Sequence, residues 1–134
     1  MRVRRGKHVR PTPGLQRFRS LAADEVARVL DGLPPALRDR VDEVPIVIED
    51  RPAPALAAEG MGDLLGLFTG VAFPDGIAVS QQLPPEILLF VDNLRREAGG
   101  REDVFREEVR RTLLHEIGHY LGLDEDALLA RDLD

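Results

Sequence analysis

An α+β domain is the fold class this sequence predicts, and three observations predict it. An apolar stripe at helical spacing comes first, β-branched and apolar runs fill the middle, and a long helical segment carrying two histidines closes the chain. The expected core arrangement is a small mixed β-sheet packed on that closing helix.

The elements follow in order. Residues 1–19 read as a flexible basic arm punctuated by Pro11, Pro13 and Gly14, and residues 20–134 as the domain. A charge-rich tail of this kind buries little apolar area, so the arm is expected to be dispensable for folding. Ser20 is placed to cap a first helix, with Asp24 and Glu25 near its start. Leu21, Val26, Val29, Leu30 and Leu33 form its apolar stripe, which Pro34 and Pro35 close, and a second short turn follows over Ala36 to Val41. Val44 to Glu49, reading V-P-I-V-I-E, is the clearest strand, with Pro45 tolerated near its start. Arg51 to Gly62 reads as a loop or short helix. Leu64 to Val71 predicts a second strand, Pro74-Asp75-Gly76 a turn, and Ile77 to Ser80 a brief third strand. Glu86 to Val91 is apolar enough for a buried strand or for the start of a helix reaching Glu97. Gly99-Gly100 precedes the closing helix, expected over Arg101 to Leu121, and Asp124 is placed to cap a last short helix to Arg131.

Size and composition set bounds on function. A chain of 134 residues is one domain, long enough to bury roughly two thirds of its unfolded surface. With five Phe, one Tyr and no Trp, the core must rest on Leu, Val, Ile and Ala. Cysteine is absent, which excludes disulfides and thiolate metal sites. No run reaches the length of a membrane span. The basic start meets Pro11-Thr12-Pro13-Gly14 where a signal peptide would be apolar, so a cytoplasmic location is expected. The first 19 residues hold seven basic groups and no acidic ones, leaving 11 basic against 24 acidic groups in the rest. Such an arm can touch an acidic surface, but a short basic run alone is weak evidence for nucleic-acid binding.

The chemistry sits in His115-Glu116-Ile117-Gly118-His119, which spells H-E-x-x-H. Residues four apart on a helix lie about 40° apart around the axis, so both imidazoles can grip one cation while Glu116 acts on a water bound to it. With Leu113 as zero, Thr112, His115, Glu116 and His119 fall between about 200° and 300°, on one face. Leu113, Leu114, Ile117 and Leu121 occupy the sector from about 0° to 100°. Two His and a Glu on an otherwise apolar helix end need a reason, because unpaired buried polar groups are costly; metal ligation supplies one. The competing reading is a solvated face in which Glu116 pairs with Arg residues one turn back and the histidines are ordinary surface residues. Gly122 stands where the helix must stop.

Three stretches resemble the minimal zincins, a family of small bacterial zinc-metallopeptidase-like proteins. Leu65-Gly66-Leu67-Phe68-Thr69-Gly70 resembles the family's G-L-[YF]-x-G strand. Leu83-Pro84-Pro85-Glu86-Ile87-Leu88-Leu89-Phe90 resembles its L-P-x-x-I-x-L-[YF] strand. Val109 through Asp126 resembles its closing H-E-x-x-H-x-x-G-x-x-D block. The similarity covers about residues 21–131 and implies a reduced zincin-like fold, with the active-site helix beneath a small mixed sheet and a cleft bordered by an edge strand. It implies His115 and His119 as zinc ligands, Glu116 as general base, and a third, acidic ligand at the position of Glu125. Asp124 and Asp126 flank that position, and Glu125 reads equally as a helix first-turn acid. No Met-turn can follow, because the only methionines are Met1 and Met61. Tyr120 lies about 100° from His119 on the wheel and is expected to pack, not to stabilise an oxyanion.

The expected function is a zinc-dependent metallopeptidase in which Glu116 assists attack of zinc-bound water on a peptide bond, with a peptide or protein as partner. An extended peptide would dock by adding to an exposed strand edge. The alternative is a non-catalytic module with a structural or vestigial metal site, which closed coordination would reveal. A nucleic-acid role for the arm is the third reading, and steep salt dependence would mark it.

Overall fold

In the computed structural model the described residues are 3–5, 14–70 and 84–122. The α+β class is observed. The elements run β1 (Val3–Arg5), α1 (Leu15–Asp31), α2 (Pro35–Val41), β2 (Ile46–Glu49), α3 (Pro54–Ala58), β3 (Gly66–Thr69), β4 (Glu86–Phe90), α4 (Val91–Glu97) and α5 (Glu102–Leu121). The strands form one mixed sheet in the order β1-β2-β4-β3, with β1, β2 and β4 parallel and β3 antiparallel to β4.

The first helix begins at Leu15, five residues before the expected cap at Ser20. The apolar spacing continues backward through Phe18 to a buried Leu15, and the break falls at Gly14. Ser20 is an exposed mid-helix residue. Arg19 is buried against Asp50, donating from Nε and Nη2 at 2.8 and 3.1 Å and from Nη1 to Gln16. Residues 15–19, read as part of the arm, thus lie in α1, with Leu15 and Arg19 buried. Val3–Arg5 also joins the sheet beside β2.

The strands lie within the expected runs but are shorter. Ile46 and Ile48 of β2 and Ile87 and Leu89 of β4 put alternate side chains into the main core. Pro45 precedes β2, and its carbonyl accepts from Ile87 N–H at 3.0 Å. Glu86 to Glu97 realises both of its expected alternatives: β4 ends at Phe90 and α4 starts at Val91 with no loop between. Asp92 N–H, in the first turn of α4, donates to Asp50 C=O at 2.9 Å and carries the sheet bonding into the helix. The Asn93 side chain donates to the carbonyls of Gly62 and Leu64, both at 2.8 Å, and pins the segment feeding β3.

Helix α5 spans the domain beside α1 and under β3 and β4. Phe105, Val109, Leu113 and Ile117 are fully buried on it. Phe18 of α1 meets Phe105 edge-on at 4.9 Å. Arg17 grips Glu102 with two hydrogen bonds of 2.7 Å. Gly122 stops the helix as the sequence predicts, at φ 73°, a left-handed conformation that suits glycine. The expected strand at Ile77 to Ser80, the turn at Pro74-Asp75-Gly76 and the last short helix lie outside the described residues.

Candidate metal centre

Two rows of α5 side chains make the site. Thr112, Glu116 and Tyr120, four residues apart, form one row beneath strand β3. Gly66 of β3 comes so close that a Cβ on it would stand 2.6 Å from Thr112 Cγ2. Two residues on, the Phe68 ring meets the Tyr120 ring at 5.7 Å. Glu116 lies between these contacts, and all three members of the row are buried. The second row, His115 and His119, is exposed, with ring centroids 4.4 Å apart.

Sequence placed His115, Glu116 and His119 on one face, and the structure brings them together: one ligand atom from each lies within 4.8 Å of the others. His119 Nδ1 is 3.2 Å from Glu116 Oε1. With Nδ1–H donating, Nε2 keeps the lone pair that a metal needs. A tetrahedral ion holds neighbouring ligand atoms roughly 3.3 Å apart, a spacing that two imidazoles one helical turn apart can meet with Glu116 beside the cation. Two imidazoles suit zinc by donor chemistry. Glu125, Asp124 and Asp126 lie outside the described residues.

Among the described residues no arginine or lysine pairs with Glu116, whose Oε1 lies against His119 Nδ1. Of the solvated reading, the pairing of Glu116 with an Arg one turn back is not observed among the described residues, where Arg111 turns to Glu108 at 3.2 Å, while the exposure of both histidines is. Tyr120 packs as expected. Its hydroxyl donates to Arg40 C=O at 3.3 Å, and burial pushes its pKa up from the ordinary tyrosine value.

Sequence reasoning missed two features. One is the Gly66–Thr112 approach, whose only local signal was a glycine inside a strand pattern. The other is a charge cluster around buried Asp92, which accepts from Arg51 Nε at 2.9 Å and from Arg95 Nη2 at 2.7 Å. Burial works to raise the Asp92 carboxyl, but hydrogen bonds and charge from Arg95 and Arg51 outweigh it and hold the group below the usual carboxylate range. The i,i+3 spacing of Asp92 and Arg95 was a signal within reach.

A small mixed sheet laid over a helix that carries His-Glu-x-x-His defines a zincin-like protein. Comparison with family models agrees: residues 41–133 match the zincin-like metallopeptidases, and the chain belongs to that family. No curated protein matches the chain. The family match begins at Val41, so α1 lies outside it although α1 packs on α5. Among the described residues no helix is long and apolar enough to cross a membrane.

Proposed function

We propose that the protein is a zinc-dependent peptidase in which His115, His119 and Glu125 hold the metal and Glu116 is the general base. The observation that carries this reading is the grouping of His115, Glu116 and His119 on one turn of α5, imidazoles outward and carboxylate under β3. Membership of the zincin-like metallopeptidases supports it. Zinc held there would supply a Lewis acid that polarises a peptide carbonyl and makes a water easier to deprotonate.

The protein groups do the rest. Glu116 takes a proton from the attacking water and passes it to the leaving amine. Among the described residues no guanidinium pairs with it, and Oε2 stays outside the bond with His119. The β3 backbone orients the substrate. Phe90 N–H donates to Leu65 C=O at 3.0 Å, which sets the ladder so that Gly66 and Phe68 direct their N–H and C=O away from β4. An extended peptide pairing there lies along the Glu116 row. Glu125, three residues past the Gly122 turn, is the third ligand on the strength of the family register.

Metal analysis tests the assignment. Wild type should hold about one equivalent of zinc and His119→Ala almost none, since the remaining ligands hold it weakly. Glu125→Ala should weaken zinc binding by one to two orders of magnitude, roughly the cost of one protein ligand. Equal zinc content in wild type and His119→Ala would end this reading, and an unchanged Glu125→Ala would move the third ligand elsewhere.

A further inference from the structure

The two β3 residues whose backbone faces away from β4, Gly66 and Phe68, are also the two that touch α5 on either side of Glu116. We propose that Gly66 is a specificity-determining residue. By having no side chain, it lets β3 settle onto Thr112, at the height where an extended peptide paired with Gly66 and Phe68 meets Glu116. The inference rests on the zinc-peptidase reading.

The contact is as close as it can be. A Cβ at Gly66 would meet Thr112 Cγ2 at 2.6 Å, Leu88 C=O at 3.1 Å and Leu89 Cδ2 at 3.4 Å. The first of these forces something to move. Thr112 is β-branched and buried within α5, so its methyl has little room to retreat. The Leu88 carbonyl belongs to the strand that β3 pairs with, so it moves only with β4. The freer response is for β3 to lift from α5. Phe68 against Tyr120 keeps the other end down, and Tyr120 is itself tied to Arg40 C=O. A lifted Gly66 end tilts the pairing edge away from Glu116. The two ligating imidazoles sit together on α5 and keep their mutual geometry. The site is thus tuned for unfolded, extended chain, and a residue larger than glycine at position 66 penalises long ligands selectively.

The test compares two zinc-directed probes on zinc-loaded protein: acetohydroxamate, which reaches only the metal, and a blocked tri-alanine hydroxamate, which also spans β3. Wild type should prefer the peptide probe by about tenfold or more. Gly66→Ala should lose most of that preference while binding acetohydroxamate within about twofold of wild type. Gly66→Ala/Thr112→Ser, which removes the clashing methyl, should restore it. Melting curves of the metal-free proteins should show the same rescue. Equal loss of both probes, an unmoved preference, or no recovery in the double variant would overturn the inference. Should Gly66→Ala not fold, Phe68→Leu makes the same comparison at the Tyr120 contact, and an unmoved preference there overturns it equally. Failure of wild type to take up zinc would instead overturn the peptidase reading on which the inference stands.

Discussion

The ends of the parallel strands and the last turns of α5 both bury carboxylates, and they partner them in opposite ways. Asp50 and Asp92, just past β2 and β4, are gripped by guanidiniums: Asp50 by Arg19, and Asp92 by Arg51 and Arg95. Glu116 is buried to a similar degree but has an imidazole for its partner. Arginine stays charged at any pH a folded protein meets, so the partners of Asp50 and Asp92 are permanent cations. An imidazole can be neutral and can give its second nitrogen to a metal. The strand-end carboxylates tie elements together through arginines, whereas Glu116 is bonded to a side chain that can itself turn to a metal.

The largest expected effect comes from breaking the arginine-paired side. Arg19→Ala leaves Asp50 without either of its guanidinium bonds and should cost about 3–5 kcal/mol in urea or thermal unfolding, the range for a buried pair that loses one partner. Deleting residues 1–19 should cost more still, since Leu15 and Phe18 leave with Arg19. A loss under about 1 kcal/mol for Arg19→Ala would show the pair to be as weak as a surface one.

The second effect depends on pH. Because the Asp92 pKa is lowered on folding, the unfolded chain takes up that proton first as pH falls. Its contribution is complete above the unfolded carboxylate value near 3.9 and is lost as pH drops through the folded value. Asp92→Asn should cost about 1–3 kcal/mol near neutrality and flatten the acid limb of a melting-temperature profile. An acid limb as steep as in wild type would remove Asp92 from the account.

The smallest effect on stability is expected at Glu116, and it sharpens the comparison most. Glu116→Gln keeps the shape and can still accept from His119, so stability should stay within about 1 kcal/mol of wild type. Zinc should be retained and any peptidase activity abolished, because the amide cannot take up the proton. Loss of zinc in Glu116→Gln would make Glu116 a ligand instead of the base.

Much of this was legible along the chain. The strands at Val44 to Glu49 and Leu64 to Val71 were found to within two residues at each end, and α5 to within one residue, because β-branched runs and helical spacing are local signals. Gly122 announced the helix end for the same reason. The start of α1 was misplaced because prolines and charges near it resemble a tail, while the partner that buries Arg19 is 31 residues away. The approach of Gly66 to Thr112 spans two separate elements and left no local mark beyond the glycine itself.

By itself the sequence determined the α+β class and the shared face of His115, Glu116 and His119, since a helix places residues three and four apart together whatever surrounds it. Which of those side chains is buried was not decided there. The fold buries Glu116 in the row whose other members, Thr112 and Tyr120, meet β3, and leaves both imidazoles exposed. Long-range packing also chose which carboxylates receive arginines. Burial and ion pairing depend on what comes near in space, and only the folded chain brings Gly66 to Thr112 or Arg19 to Asp50.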